Sequence, residues 1–113
     1  MEESRIKATL LGSRVVVWDP KEGGRLYREG YYGKFIGISK PKSPDVEAPV
    51  ELSLIEALYL LERGRISLVD SDGRELKIED LRRIGREHYA LFDDAYEVYR
   101  DLRSKGYLSL IHI

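Results

Sequence analysis

Residues 53–64 predict a helix whose two ends are both specified by the sequence. Residues 53–56, Ser-Leu-Ile-Glu, match a capping box, in which the serine hydroxyl and the glutamate carboxylate each accept a hydrogen bond from the other residue's amide. Apolar residues follow at spacings of three and four: Leu54, Ala57, Leu58 and Leu61. Gly64 stands where a left-handed residue commonly ends a helix.

Strand patterns lie on both sides of this helix. Residues 6–11 and the valine run 15–18 predict two strands joined by a turn at Gly12-Ser13, and Asp19-Pro20 ends the second. The valine run is nearly continuous, which is typical of a strand covered on both faces. Residues 66–69 and 76–78 predict a further pair around the turn-forming segment 70–73.

The segments between the strands carry weaker signals. Residues 21–24 resemble a loop, 25–29 predict one or two helical turns, and 34–38 predict a brief extended segment. Residues 39–49 hold three of the four prolines and predict a connecting loop.

From residue 79 onward the pattern is helical. Apolar positions step by three or four along Leu81, Ile84, His88, Leu91, Ala95, Tyr99 and Leu102. Gly85 is expected to divide this stretch into a short helix near 79–85 and a longer one near 87–105, which ends at Gly106. Residues 107–113 predict the opening of a strand, so a second domain is expected to begin near 80–87.

Together these elements predict an α+β fold. A small N-terminal domain over residues 1–80 is expected to hold a short mixed β-sheet packed by helices. Residues 81–113 are expected to be the truncated start of a second domain, made of a helix and a partial strand.

Composition excludes several classes of function. The chain has 19 basic and 20 acidic residues and a net charge of −1, which gives no strong field for phosphate, so any RNA contact must be local. Cysteine is absent, and no third ligand accompanies His88 and His112 at metal-site spacing, so no metal or cofactor is predicted. No apolar stretch could span a bilayer and no signal peptide opens the chain, which predicts a cytoplasmic protein without a membrane partner.

Residues able to do chemistry have structural explanations. Nucleophile and phosphate-loop motifs are missing from the sequence, and the pairs Glu79-Asp80 and Asp93-Asp94 are interpreted as solvated helix positions. His88 lies on the apolar stripe and is expected to be satisfied or half-buried. Tyr96 and Tyr99 are expected in a core or domain interface.

Two groups remain as candidate contact residues. Arg82 and Arg86, four apart on a helix, could follow a phosphate backbone, although neighbouring acidic residues favour a salt-bridged surface. Tyr31, Tyr32 and Lys34 could stack bases and hold a phosphate. They could equally anchor their segment on the sheet or contact another subunit, and these alternatives are favoured.

An ordered set of strings across roughly residues 6–107 resembles the archaeal tRNA-intron endonucleases. The strings are 14–17 (RVVV), 24–27 (GRLY), 31–34 (YYGK), 52–66 (LSLIEALYLLERGRI) and 96–107 (YEVYRDLRSKGY). Residues 52–66 look like the principal helix of that family's N-terminal domain, and 96–107 like the first helix of its α/β catalytic domain.

The resemblance implies metal-independent cleavage of precursor tRNA at intron boundaries, leaving 2′,3′-cyclic phosphate and 5′-hydroxyl ends. The family's tyrosine, histidine and lysine belong to the later part of the catalytic domain, and none can be placed on this chain. His88, His112 and Tyr107 do not stand in the family's sequence contexts. We therefore expect this chain to lack the catalytic residues and to be inactive alone.

The resemblance stops after Tyr107, since residues 108–113 do not look like the family, and we interpret this ending as a truncation. The implied partners are other endonuclease subunits, in a homo- or hetero-oligomer, and precursor tRNA in the intact enzyme. Two alternatives stay open: a non-catalytic structural subunit of a heteromeric endonuclease, and an unrelated protein-interaction module.

Overall fold

A computed structural model describes residues 5–30, 32–36 and 48–105. The strands are β1 (Ile6–Leu11), β2 (Arg14–Val17), β3 (Lys34–Phe35), β4 (Val50–Leu52), β5 (Ile66–Val69) and β6 (Glu75–Leu76). The helices are α1 (Pro20–Gly30), α2 (Leu54–Glu62), α3 (Ile78–His88) and α4 (Phe92–Ser104). Outside the described residues lie Tyr31, Gly106, His112, the predicted strand 107–113 and most of the loop predicted at 39–49.

The strands form one mixed sheet in the order β3-β4-β2-β1-β5-β6. Strands β1 and β5 pair in parallel, and the other neighbouring strands pair antiparallel. Gly12, at φ +64°, turns β1 into β2 as predicted. The predicted α+β class with a short mixed sheet is confirmed.

One face of the sheet holds the core. Burial alternates along β1, where Ile6, Ala8 and Leu10 are buried and Lys7 and Leu11 are exposed. The inward residues of the other strands join the same apolar cluster as the buried residues of α1, α2 and α4. Val16 of β2 points away from this cluster and is also buried, but Arg14 and Trp18 on the same side are exposed, so the second face of β2 is covered only in part.

The ends of α2 follow the sequence signals. The Ser53 hydroxyl accepts from the Glu56 amide, and the Glu56 carboxylate accepts from the Ser53 amide, both at 3.1 Å. Gly64 adopts φ +72° directly after the last turn. The capping box and the glycine cap are therefore both confirmed.

Helix α1 is longer than predicted, since the loop expected at 21–24 is helical. Asp19 caps the helix by accepting from the Lys21 amide at 2.9 Å, and Pro20 stands at the first helical position. Gly23 is required for packing rather than for a turn: a Cβ there would lie 2.4 Å from the Ala48 carbonyl oxygen.

The helix break predicted at Gly85 falls instead at residues 89–91, between α3 and α4. Gly85 is buried inside α3, and a Cβ on it would lie 2.5 Å from the Phe92 ring. This glycine lets the first residue of α4 pack against α3. The predicted apolar stripe is wrong at two positions, because His88 and Leu91 are exposed.

Two strands also differ from expectation. Strand β4 was not predicted, because three residues immediately before a helix are too few to show alternation. The strand predicted at 76–78 ends at Leu76, and Ile78 begins α3. The turn before it is confirmed: Asp70 Oδ1 accepts from the amides of Asp72 and Arg74 at 2.9 Å.

Candidate functional site

A tyrosine–arginine cluster joins the segment before β3 to α2 and α4. We define it by Tyr32, Tyr59, Arg63, Tyr99 and Arg103. The Tyr59 ring lies 5.6 Å from Tyr99, edge-on, and 6.2 Å from Tyr32, centre to centre. The Arg103 guanidinium sits 4.2 Å from the Tyr32 ring centre, and its Nε donates to the Tyr99 hydroxyl at 2.9 Å. These contacts hold the Arg103 side chain at 9% exposure.

The electrostatics of this cluster raise the pKa values of Tyr32 and Tyr99 and keep both hydroxyls protonated. Burial raises the pKa of Tyr99, and the nearby Glu56 carboxylate raises it further against the opposing charge of Arg103. Burial also raises the pKa of Tyr32, with the guanidinium of Arg103 again opposing. Neither hydroxyl is activated as a base, so the cluster is better suited to packing than to proton transfer.

The candidate Tyr32 is held in place through its neighbour Gly33. The Gly33 amide donates to Glu56 Oε2 at 2.8 Å, which ties this segment to the first turn of α2. Tyr32 is half-buried in the cluster, as expected for an anchor on the fold. Lys34 lies one residue further on, exposed on β3, where it pairs across the sheet with Glu51.

The candidate Arg82 connects three helices. From α3 its guanidinium reaches Glu62 Oε2 of α2 at 2.9 Å and Asp93 Oδ1 of α4 at 3.6 Å. It also lies 5.4 Å from the Tyr96 ring centre. Tyr96 is fully buried, and its hydroxyl donates to the same Glu62 carboxylate. Burial is the main cause of the raised pKa of Tyr96, and this hydrogen bond raises the pKa further. Arg82 therefore stabilises the helix packing.

The candidate Arg86 is paired more simply. Its Nε donates to Asp93 Oδ2 at 2.7 Å, and this hydrogen bond holds the pKa of Asp93 below its usual range. Arg83 pairs with Asp80 at 3.5 Å, as its spacing predicted. Both candidate arginines thus contact carboxylates on other helices, which supports the salt-bridged interpretation of this surface.

An apolar cleft of about 590 Å³ opens between the start of α2 and the α3–α4 connection. His88 and Tyr89 stand at this cleft with ring centres 6.3 Å apart. Its remaining lining is mostly apolar and includes Leu54, Ile55, Leu91 and Phe92.

Within the described ranges, no group of three or more histidine, aspartate or glutamate side chains is arranged to hold a metal ion. Among the helices described, none has the length and apolar character needed to cross a bilayer.

Sequence reasoning identified Glu56 in the capping box but missed its second contact, with Gly33, and it did not identify Glu62 and Arg103 as organising residues. Arg103 had a usable signal, because it lies four residues after Tyr99 and so shares its helix face. The contacts of Glu62 and of the second Glu56 oxygen join distant parts of the chain, and no local pattern indicates them.

Sequence comparisons relate this chain to known proteins. Residues 6–82 match the family model of the tRNA intron endonuclease N-terminal domain. A tRNA-splicing endonuclease of Hyperthermus butylicus is 47% identical over 103 residues, which cover 91% of this chain and 57% of that relative. One of Saccharolobus islandicus is 45% identical over 104 residues (91% and 57%), and one of Pyrobaculum aerophilum 45% over 102 residues (88% and 56%).

The fold and the interhelical clusters define a small α+β domain whose buried tyrosines and arginines serve its internal packing. The chain belongs to the family of the tRNA intron endonuclease N-terminal domain. It spans somewhat more than half the length of these curated relatives.

Proposed function

We propose that this chain acts in tRNA splicing as part of an endonuclease that cleaves precursor tRNA at intron boundaries, leaving 2′,3′-cyclic phosphate and 5′-hydroxyl ends. The observation that carries the proposal is the 47% identity to a tRNA-splicing endonuclease over 91% of the chain. In this proposal the chain supplies the N-terminal domain, over residues 1–80, and the first helix of the catalytic domain. The residues that cleave RNA come from outside this chain.

The state of the described ionisable residues supports a scaffolding role. The buried tyrosines Tyr96 and Tyr99 have raised pKa values and are hydrogen-bonded to Glu62 and Arg103 respectively. His88 is exposed at the end of α3. A tyrosine held protonated by burial is a poor general base, so this arrangement favours structure over catalysis.

The proposed partners are further endonuclease subunits and precursor tRNA, in the cytoplasm. The test incubates an intron-containing precursor tRNA, without metal, with this chain alone, with a complete catalytic subunit alone, and with both. We expect no cleavage by the chain alone, and a change in cleavage rate or intron preference when the two are combined. Mature tRNA without an intron is the matched control substrate.

The ends of the products provide the chemical readout. Cyclic phosphate and 5′-hydroxyl ends at the intron boundaries are expected from any active mixture. Metal-free cutting by the purified chain would contradict its assignment as a non-catalytic part. Failure to bind either a complete subunit or precursor tRNA would contradict the proposed role in tRNA splicing.

A stable complex of fixed stoichiometry would identify the chain as a structural subunit of a heteromeric endonuclease. Size-exclusion chromatography with light scattering measures that stoichiometry directly.

A further inference from the structure

The sheet has a second face that points away from the core cluster. Pairing across the strands places Thr9, Val16, Glu51 and Lys34 in one row, because residues directly opposite on neighbouring strands share a face. Side chains alternate between the two faces along a strand. Lys7 and Leu11 of β1 therefore share the side of Thr9, and Arg14 of β2 and Trp18 just after it share the side of Val16. We call this surface the outer face.

Large apolar side chains are exposed on the outer face. Trp18 is 56% exposed, Ile36 42% and Leu11 39%. Trp18 and Ile36 flank Pro49 from the two neighbouring strands: Val17 pairs with Val50, and the Ile36 amide donates to the Pro49 carbonyl at 2.9 Å. An indole ring and an isoleucine therefore stand on either side of Pro49 at one end of the sheet. Exposed apolar side chains grouped on one face are typical of interaction sites, and Trp18 is the most exposed of this group.

The strands of the outer face carry three basic and two acidic side chains. Lys7, Arg14 and Lys34 face Glu51 and, on β6, Glu75. Arg14 lies 3.7 Å from Glu51. Lys7 and Lys34 take part in none of the ion pairs found among the described residues, whereas Arg82 and Arg86 each contact carboxylates on other helices. On the outer face Arg14 is thus shared with Glu51, whereas Lys7 and Lys34 remain as cations that an external anion can contact.

We propose that the outer face binds single-stranded RNA, with Trp18 stacking on a base and Lys7, Arg14 and Lys34 contacting phosphates. This inference rests on the proposed function, which brings precursor tRNA to the protein. Exposed aromatics on an open surface stack unpaired bases, and flanking cations follow the backbone. Paired bases in an A-form helix are already stacked and offer no free face to the indole, so the surface selects unpaired segments.

A protein partner suits this surface less well. Protein interfaces are depleted in lysine at their centres, and here Lys34 lies two residues from Ile36 in sequence and on the same face of β3. The excess of one positive charge over the strand residues, three basic against two acidic, predicts weak and salt-sensitive binding.

The test uses the fact that Trp18 is the single tryptophan of the chain. Its fluorescence is followed as the full chain is titrated with a 12-nucleotide oligouridylate, an RNA duplex of the same length, and an intron-containing precursor tRNA. We expect saturable quenching by the oligouridylate and the precursor, and little by the duplex. If three phosphates are neutralised, a plot of the logarithm of the binding constant against the logarithm of the salt concentration has a slope of about −2 for a single strand.

Variants locate the site by anisotropy of a labelled oligouridylate. Trp18→Leu is expected to weaken binding by about 5- to 150-fold, the range seen when a stacking aromatic is removed. Lys34→Gln is expected to weaken binding and to reduce the salt slope by about 0.7. The matched control is Lys105→Gln, on a lysine that pairs with Asp101 at the end of α4, and it is expected to bind like the wild type. Circular dichroism confirms that each variant is folded.

Three outcomes would overturn the inference: no quenching by the oligouridylate, equal binding of the duplex, or equal weakening by Lys105→Gln. A Trp18 signal that responds to a complete endonuclease subunit and not to RNA would overturn it as well, in favour of a protein interface. The cleavage assay is read separately, so an effect of the chain on cleavage without Trp18 quenching would reject the outer-face site and leave the proposed function standing.

Discussion

The Gly33 amide donates a hydrogen bond to Glu56 Oε2 at 2.8 Å across 23 residues of sequence. The other oxygen of the same carboxylate accepts from the Ser53 amide at 3.1 Å. The Glu56 side chain therefore completes the cap of α2. It also holds in place the segment that contains Tyr32, a member of the tyrosine–arginine cluster. Helix capping and the placement of a candidate contact residue depend on the same group.

Glu56→Gln is expected to lower the free energy of unfolding by about 1–3 kcal/mol, because an amide has one acceptor oxygen for two donors and loses the charge. Urea unfolding followed by circular dichroism measures this change. Ser53→Ala, which removes the hydroxyl cap alone, is the control and is expected to cost about 1 kcal/mol. A Glu56→Gln variant as stable as the wild type would show that the Gly33 contact contributes nothing.

Gly33→Ala is expected to destabilise the protein far more than Gly12→Ala. Both glycines have positive φ, +71° and +64°, so each substitution carries a backbone penalty of about 1–2 kcal/mol. At Gly33 the new Cβ would also lie 2.4 Å from Val50 Cγ1 and 2.7 Å from the Glu51 carbonyl oxygen, whereas Gly12 has nothing within 4 Å. Overpacking adds about 1–3 kcal/mol at Gly33. Equal melting temperatures for the two variants would contradict the close packing of Gly33.

Gly85→Ala is expected to destabilise the protein although alanine favours helices. The helical gain of about 1 kcal/mol is outweighed by the clash of the new Cβ with the Phe92 ring at 2.5 Å. The double variant Gly85→Ala, Phe92→Leu is expected to recover part of the lost stability, because leucine is smaller than phenylalanine and leaves room for the new Cβ. A double-mutant cycle on unfolding free energies measures this coupling, and strictly additive effects would argue against the contact.

Arg82→Gln is expected to lower the free energy of unfolding by about 1–3 kcal/mol, because Glu62 loses a charged partner at a half-buried position. Arg86→Gln, which removes an exposed pair with Asp93, is expected to change stability little. If these arginines instead served RNA binding alone, both variants would weaken RNA binding and neither would change unfolding.

Tyr96→Phe is expected to cost about 1–3 kcal/mol at neutral pH, because the hydroxyl no longer donates to Glu62. The pKa of Tyr96 is raised in the folded protein, so its contribution is complete below the unfolded tyrosine pKa of about 10 and declines as pH rises above it. The stability gap between wild type and Tyr96→Phe should therefore narrow above pH 10, by up to about 1.4 kcal/mol per pH unit. Tyr89→Phe, at an exposed position, is the control.

The sequence predicted the features that depend on a few neighbouring residues. The capping box, the glycine at the end of α2, the Gly12 turn and the 70–73 turn each involve contacts within four residues, and each is present. The class of fold followed from these local units. The break between α3 and α4 was misplaced because Gly85 is explained by Phe92, which belongs to the next helix.

Features that depend on distant residues could not be predicted. Gly23 and Gly24 suggested a loop, yet Gly23 lies within α1. A glycine is needed there because the Ala48 carbonyl oxygen leaves no room for a Cβ. Sequence left two interpretations for Tyr32, and its half-buried contacts with Arg103 and Tyr59 support the packing one. Arg82 has two tertiary partners, Glu62 and Asp93. Both lie on other helices, so no local sequence pattern indicates them.

The parallel pairing of β1 with β5 has a consequence for the order in which the protein assembles during synthesis. The β1–β2 hairpin can form as soon as Val17 has emerged from the ribosome, but the other edge of β1 stays open until residues 66–69 follow. An open edge strand is a template for pairing with other chains. This edge of β1 is therefore open to other chains while residues 18–65 are being made, and it is closed when Val69 docks beside Thr9.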